Sequence, residues 1–286
     1  MLIYQVILSG LFAGLVYGLI SIGLSIIWGI MDMVNFAHGD FMMLSMYLAY
    51  LGATNLGIDP LFSLPFVVVF MFMIGVVVYR TVISKVIGSE TVYQILCTFG
   101  LVVLLQSMAQ YLWTANYWMI KDPIASGSLN IAGAFLPRGQ VIAGIACLIT
   151  AAVIWWFINK TNTGWALQAT AQNRASAPLM GINVNYMFSL AWGIGLASVG
   201  VAGVLLANFY YIYPQVGMTF QLLALVAVAL GGFGSVPGAL IAGLTVGLVE
   251  ALAGYFIAPA FKYVVVFAIY IAVVVIRPQG IMGTHH

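Results

Sequence analysis

Four polar side chains occur at places where the surrounding sequence is strongly apolar. Asn35, His38 and Asp40 lie in GIMDMVNFAHGDFMML, between two long apolar runs, and Glu250 lies inside a later one. Amide, imidazole and carboxylate groups can hydrogen-bond a polar solute, and Asn or Asp can cap unpaired amides at a helix N-terminus. For the first three residues two interpretations stay open. One is a capped turn at a membrane surface, and the other is a helix that begins below the surface with its N-terminus facing a cavity.

Glu250 carries a carboxylate within an apolar stretch, where such groups usually face a partner, the interior of a helix bundle or water. We expect all four side chains to line a polar passage. A shallower position near the outer surface is the alternative for Glu250. None of the four belongs to a pattern that predicts a metal site or a catalytic group.

A second break in the apolar pattern is LGGFGSVPGALIAG, residues 230–243. Gly231, Gly232 and Gly234 allow backbone shapes that other residues avoid, and Pro237 suits the first turn of a helix. Irregular backbone at membrane depth persists only where protein or water covers it. The segment is therefore predicted either as a gate or hinge between paired half-helices, or as a plain tight turn at the cytoplasmic surface.

The composition is that of an integral membrane protein. Of 286 residues, 64% are hydrophobic and 5% charged, whereas soluble domains have about a quarter charged. Unbroken blocks such as VVVFMFMIGVVVY do not alternate as barrel strands do, so helices are predicted. A net charge of +2 without a basic cluster argues against nucleic acid as a partner. Membrane lipid is the expected surrounding of the apolar segments.

The predicted fold class is an all-α polytopic membrane protein, with one transmembrane domain over residues 1–286. Roughly eight to nine helices fit, some short or discontinuous, because a span needs about 20 apolar residues. The seventh of these segments is short and could re-enter or cross half-way. The predicted spans are 5–30, 38–54, 61–80, 92–114, 139–158, 184–208, 219–232, 237–256 and 260–276.

The basic residues indicate the orientation. If all nine segments cross, five basic residues share one face and three the other, and the richer face is predicted to be cytoplasmic. That face contains the loop 159–183 and the C-terminus. The five are Arg80, Lys85, Lys160, Arg174 and Arg277, and the three are Lys121, Arg138 and Lys262.

Small residues recur four apart in the first and eighth spans, which predicts close helix packing, with the lining of a narrow passage as the alternative. They are Gly10, Gly14 and Gly18, and Ala239, Gly243, Gly247 and Ala251.

Three segments in order, VNFAHGDFMML, GGFGSVPGALIAG and the terminal RPQGIMG, resemble signatures of a known family. They are similar to those of the permease subunits of bacterial branched-chain amino acid ABC transporters, of the shorter, LivH type. Permeases for urea or short amides share much of the pattern. The resemblance implies a multi-pass protein of the inner membrane that works with a second permease, identical or different. It also implies two cytoplasmic ATPases and a periplasmic binding protein, with substrate passing between the two permeases.

The sequence contains no G-x-x-x-x-G-K-[ST] loop that would hold ATP phosphates. We therefore expect no cofactor and no enzymatic activity in this chain, with ATP and magnesium bound by the partner ATPases. Such partners need a contact, and the polar loop 159–183 is predicted to supply it through a short helix, Trp165–Ala177, ended by Pro178 and Gly181. The resemblance assigns ATPase coupling to positions in this loop, namely Thr163, Gly164, Arg174, Ala175 and Gly181. A passive polar connector on lipid headgroups is the alternative.

Two other functions are alternatives to this one. A transporter or channel working alone would favour several intramembrane carboxylates or paired charges, and here only Glu250, with Asp40 as a possible second, is a candidate. A membrane-embedded hydrolase would need Ser235 and His38 within hydrogen-bond reach.

Overall fold

The computed structural model describes residues 2–131, 133–277 and 280–282. Within these residues ten α-helices form the molecule, joined by one small antiparallel sheet that pairs Leu129 with Leu136. The helices are α1 Leu2–Met31, α2 His38–Asn55, α3 Pro60–Thr81, α4 Thr91–Trp113, α5 Arg138–Lys160, α6 Asn162–Gln172, α7 Val184–Leu206, α8 Val216–Gly231, α9 Val236–Phe256 and α10 Lys262–Ile276; the strands are β1 Ser128–Ile131 and β2 Ala134–Pro137.

Each of the nine predicted spans corresponds to one of these helices, and α6 falls in the predicted loop. Seven segments within the described residues are long and apolar enough to cross a membrane, and α8 is a shorter apolar helix. The all-α polytopic fold is confirmed.

Helix α1 lies at the centre of the bundle and packs along the whole of α9. The two backbones approach closely, since a Cβ on Gly14 would lie 2.8 Å from the Cα of Leu244, and a Cβ on Gly10 would lie 2.8 Å from the Cβ of Ala251. Dispersion contacts replace the hydrophobic effect in lipid, so small residues at such a seam stabilise the pair. The glycine stripes are therefore a packing surface.

Contacts between loops group the helix ends into two layers. At the layer that contains the sheet, hereafter the β end, Gln5 donates to the carbonyl of Phe135 at 2.8 Å and Trp118 pairs with Ile212. At the opposite layer, the α6 end, Arg174 contacts Asp32. From the positive-inside bias, the α6 end is predicted to be the cytoplasmic one.

Helix α2 begins inside the bundle. The Nε2 of His38 is 3.1 Å from the carbonyl oxygen of Ile20, which lies eleven residues before the α6-end terminus of α1 at Met31. At 1.5 Å per residue this is about 16 Å along the helix axis. Residues 32–37 therefore return from the α6 end to mid-depth before α2 starts, and the first break is a helix that begins below the surface.

Helix α8 also begins at mid-depth, which explains its shortness. The ring of Phe220 packs on Tyr17 of α1 at 6.0 Å between centroids, and the first turn of α8 contacts the first turn of α2 through Gly217 and Gly39. Of the alternatives left open for the seventh segment, the structure has the short helix that crosses part of the bundle. The N-terminus of α2 faces this helix and not an open cavity.

The glycine-rich second break is a turn at the α6 end. Gly232 and Gly234 have φ of 96° and 79°, and the side chain of Ser235 caps α9 by accepting from the amide of Gly238 at 3.1 Å. Gly231 ends α8, and Pro237 lies in the first turn of α9. This geometry is the tight-turn alternative, and the gate role of these four residues stays a prediction.

The C-terminal segment covers this turn, because the amide of Ile281 donates to the carbonyl of Leu230 at 2.7 Å. Of the RPQG motif, Arg277 and Gly280 are described, and Pro278 and Gln279 lie outside the described residues.

The predicted helix Trp165–Ala177 is wrong in its bounds. Helix α6 begins earlier because Thr161 caps it, accepting from the amide of Gly164 at 3.0 Å. It ends at Gln172, and the side chain of Asn173 then accepts from the amides of Ala175 and Ser176 at 3.0 and 2.9 Å. A separate 3-10 helix, Ala177–Met180, follows and is closed by Gly181 with φ of 78°.

Candidate functional site

The mid-depth break is held by one amide side chain from α8. Gln221 accepts from the amide of Gly39 at 2.7 Å through Oε1 and donates to the carbonyl of Asn35 at 3.1 Å through Nε2. Helix α2 has no capping side chain of its own, because its N-cap residue is Ala37. Gln221 therefore supplies, from another helix, the acceptor that an unpaired N-terminal amide requires.

Gln221 is not among the site residues predicted from the sequence. The one available signal was a single amide side chain in an otherwise apolar segment, LLALVAVAL following FQ. Its partners lie 182 and 186 residues earlier in the chain, so no local pattern links them.

Two buried polar atoms at the break have no partner in the described structure. Asn35 and His38 are fully buried, and the Nδ2 of Asn35 and the Nδ1 of His38 make no hydrogen bond. Since a carbonyl oxygen only accepts, the Nε2 of His38 is the donor to Ile20, which leaves Nδ1 of a neutral ring as an acceptor. The break thus holds one unused donor and one unused acceptor, and such groups are costly when buried unpaired.

Asp40 lies one residue beyond Gly39 and is 2% exposed. Its carboxylate accepts from the Nε2 of Gln106 in α4 at 2.9 Å, and no cationic side chain among the described residues pairs with it. The structure therefore brings Asn35, His38 and Asp40 together at one level of the bundle.

Glu250 lies elsewhere, nearer the β end. It forms an ion pair with Lys262 at 2.6 Å, and the next residue, Ala251, packs against Gly10 in the outer part of α1. Both charged groups line a cavity of about 290 Å³ between α1 and α9. The cavity extends inward to Tyr17, whose ring contacts Phe220 beside Gln221. Glu250 therefore has the shallower position, and its role in a substrate pathway stays a prediction.

Ser235 and His38 do not meet. Ser235 caps α9 beside Gly234, which packs on Gly29, whereas His38 bonds to Ile20. Nine residues of α1 separate these contacts, about 13 Å. The hydrolase hypothesis is wrong for this reason. Within the described residues no group of three His, Cys, Asp or Glu side chains could hold a metal ion.

The loop at the α6 end combines packed and exposed parts. Gly164 is buried against the carbonyls of Phe157 and Ile158, and Leu167 packs into the core. Leu179 and Met180, by contrast, are 85% and 81% exposed on the 3-10 helix. This pair is not among the residues predicted from the sequence, where its signal is two large apolar residues between a proline and a glycine in a polar loop.

Of the residues predicted for ATPase coupling, Arg174 joins the loop to two other parts of the chain. It forms the ion pair with Asp32 at 2.7 Å and lies over the ring of Phe188 at 5.6 Å. Thr163 is half-buried in α6, Ala175 is exposed after it, and a Cβ on Gly181 would meet nothing within 4 Å. The structure places all five at the α6 end, with Gly164 buried and the other four at least partly exposed, and their role stays a prediction.

Along nearly its whole length, the chain is similar to proteins that are named as transport permeases. It is 33% identical to the high-affinity branched-chain amino acid transport system permease protein LivH of Salmonella typhimurium, over 98% of this chain and 95% of the relative. It is 30% identical to BraD, the corresponding permease protein of Pseudomonas aeruginosa, with the same coverage. The autoinducer 2 import system permease protein LsrC of an Enterobacter species is 27% identical over 65% of this chain and 53% of its own length. No solved structure is a match.

The spanning helices and these relatives agree with a multi-pass protein of the inner membrane. Residues 6–274 match the family model described as branched-chain amino acid transport system, permease component. The chain therefore belongs to the permease components of branched-chain amino acid transport systems.

Proposed function

We propose that this chain is the membrane subunit of an ABC importer that moves branched-chain aliphatic amino acids inward, driven by separate ATPase chains. The observation that carries the proposal is the mid-depth meeting of two helix N-termini, α2 and α8, bonded through Gln221. Discontinuous helices of this kind form substrate sites in transporters, because their N-termini are positive and can face a carboxylate. The full-length similarity to permeases named for branched-chain amino acids supports the substrate class.

The groups at the break suit an α-amino acid. When the bundle opens and Gln221 withdraws, the amide of Gly39 and the Nδ2 of Asn35 become donors for a carboxylate. The carboxylate of Asp40, which has no cationic partner among the described side chains, can accept from an ammonium group. The surrounding apolar side chains suit an aliphatic substituent. Urea and short amides can donate to Asp40, as the amide of Gln106 does, but they carry no positive charge to compensate its buried carboxylate.

The ATPase contact is proposed at the surface formed by Leu179 and Met180. Large exposed apolar side chains on a cytoplasmic loop are typical of a protein contact, and they lie on a loop whose preceding helix packs against the bundle. Arg174 then connects this loop to Asp32, and residues 33–37 lead from Asp32 to His38 at the break. A movement of the loop therefore has a short covalent and ionic route to the mid-depth site.

The partners proposed are a second, related permease, two cytoplasmic ATPases and a periplasmic binding protein. The decisive experiment is uptake of radiolabelled leucine and, separately, of urea by vesicles that contain the chain with these partners. We expect ATP-dependent leucine uptake and none of urea. Leucine uptake by the chain alone, without ATP, would mean a stand-alone transporter and would contradict the proposal.

The contact surface has its own test. Leu179→Ser with Met180→Ser is expected to abolish co-purification of the ATPase while the membrane bundle stays folded. The matched control is Leu56→Ser, because Leu56 is 72% exposed and lies at the β end. Ala169→Pro, which breaks α6, is expected to uncouple ATP hydrolysis from uptake. Unchanged co-purification and uptake in these variants would favour the passive connector.

A further inference from the structure

A second cavity lies at the α6 end, between the end of α3 and the start of α7, on the outside of the bundle. Its volume is about 400 Å³, within the size range of small-molecule sites. Nothing in the proposed transport path uses it, since the break and Glu250 lie elsewhere. The lining side chains are all polar, and none is acidic: Tyr79, Arg80, Ser84, Asn183, Asn185 and Tyr186.

This lining is rich in donors and poor in acceptors. The Oδ1 of Asn185 accepts from the hydroxyl of Tyr79 at 3.3 Å, and the Oδ1 of Asn183 accepts from the amide of Tyr186 at 3.1 Å. Both amide oxygens are thus engaged, which leaves the two NH₂ groups as donors. Arg80 forms no ion pair with the described residues. The cavity therefore offers a guanidinium and two amide donors, the chemistry that an anion requires.

The backbone adds to this preference. Asn183 is the N-cap of α7, a helix of 23 residues whose N-terminal end carries a partial positive charge. An anion beside Asn183 would be stabilised by that end as well as by Arg80. Phosphate groups bind at helix N-termini for this reason.

The surface next to the cavity indicates what the anion is attached to. Exposed apolar side chains run along one face of α3, three or four residues apart, and end at Arg80; they are Phe66, Phe70, Met73 and Val77. This face lies at membrane depth and packs against no other helix in the described chain. Acyl chains can pack along such an apolar strip, whereas a free phosphate or a polar peptide makes no favourable contact with it.

We propose that the cavity binds the phosphate of an anionic phospholipid on the cytoplasmic side, with its acyl chains along the outer face of α3. Arg80 contacts the phosphate, and Asn183 and Asn185 donate to its oxygens. Anionic lipid headgroups bind basic pockets between transmembrane helices on this side of membranes.

The test is native mass spectrometry of the purified full-length chain with added phosphatidylglycerol, compared with phosphatidylcholine of the same acyl chains. We expect preferential binding of phosphatidylglycerol, reduced about fivefold or more by Arg80→Gln, since one basic group near the surface contributes that much. The matched control is Lys85→Gln, which removes the same charge from an exposed position outside the cavity. It is expected to retain the preference, and Arg80→Lys to retain part of it.

Competition separates a lipid from a free anion. Glycerol 3-phosphate in millimolar excess is expected not to displace phosphatidylglycerol, because it lacks the acyl chains. Displacement by glycerol 3-phosphate would mean a site for soluble phosphates and would overturn the lipid assignment. Equal binding of the two lipids, equal losses in Arg80→Gln and Lys85→Gln, or cross-linking of position 80 to a co-purified protein in place of lipid would each overturn it as well. Unchanged thermal unfolding in the variants excludes misfolding as the cause.

Discussion

Gln221 joins α8 to α2 through two hydrogen bonds, one from the amide of Gly39 and one to the carbonyl of Asn35. This relationship closes the break between α1 and α2 in the middle of the bundle. It satisfies two backbone groups that water cannot reach, because Gln221 is 6% exposed and Asn35 is fully buried. It also makes the closed state depend on the relative position of two helices, so that a movement of either one exposes both groups.

Replacing Gln221 by leucine removes both bonds at nearly the same volume. An unsatisfied buried backbone group costs about 1–3 kcal/mol, so we expect a loss of about 2 kcal/mol or more in the free energy of unfolding. Denaturant titration of the purified chain in mild detergent measures it. Gln110→Leu is the matched control, since Gln110 is an exposed glutamine in a spanning helix. Equal effects of the two substitutions would contradict the capping role.

A methyl group at Gly39 is expected to separate α2 from α8. Its Cβ would overlap the carbonyl of Gly217 and lie 2.9 Å from the Cβ of Gln221. The backbones must then move apart and lengthen the Gln221 bond, so Gly39→Ala should reduce both thermal stability and uptake. Gly100→Ala serves as the control, because a Cβ there meets nothing within 4 Å. The idea is wrong if both variants melt at the wild-type temperature.

The Arg174–Asp32 ion pair is expected to matter for coupling and little for stability. The side chain of Asp32 is 77% exposed and that of Arg174 36%, and such exposed pairs contribute less than about 1 kcal/mol. Asp32→Asn should leave the melting temperature nearly unchanged while lowering the amount of substrate moved per ATP hydrolysed. The charge-exchanged double variant, Asp32→Arg with Arg174→Asp, should recover part of that ratio. No change in the ratio for Asp32→Asn would exclude the ionic route from the loop to the break.

Removing one or the other member of the Glu250–Lys262 ion pair is expected to lower the free energy of unfolding by different amounts. Glu250 is 9% exposed at its side chain and Lys262 33%. Lys262→Met leaves a buried carboxylate uncompensated, at a cost that reaches about 3–5 kcal/mol for fully buried pairs and is lower here because Lys262 is partly hydrated. Glu250→Gln leaves a lysine that can still reach water, so this variant should lose less of the free energy of unfolding than Lys262→Met.

Unfolding measurements on the two single variants and on the double variant test this asymmetry. We expect the double variant to be more stable than Lys262→Met alone, because no charge is left unpaired. The reverse order of the single variants would mean that Glu250 is hydrated through the neighbouring cavity.

The fold class and the positions of the spans follow from the sequence alone. Hydrocarbon excludes charged side chains, so uncharged runs mark the helices wherever they pack, and the nine predicted spans agree with the observed helices to within a few residues. The polar loop was predicted for the same reason. Its helix bounds were not, because the side chains of Thr161 and Asn173 set them through hydrogen bonds to backbone amides, which helix propensities do not include.

The arrangement of the candidate site was decided by the tertiary structure. The residues VNFAHGD are compatible with a surface turn or a mid-depth start, and only the contact of His38 with Ile20 distinguishes them. Gln221 belongs to the site because α8 packs across α2, and Glu250 lies apart from it because α9 packs along the outer half of α1. Hydropathy is a property of each segment, whereas the pairing of buried polar groups depends on which helices meet. The sequence therefore determined what crosses the membrane, and the packing determined which polar groups share a site.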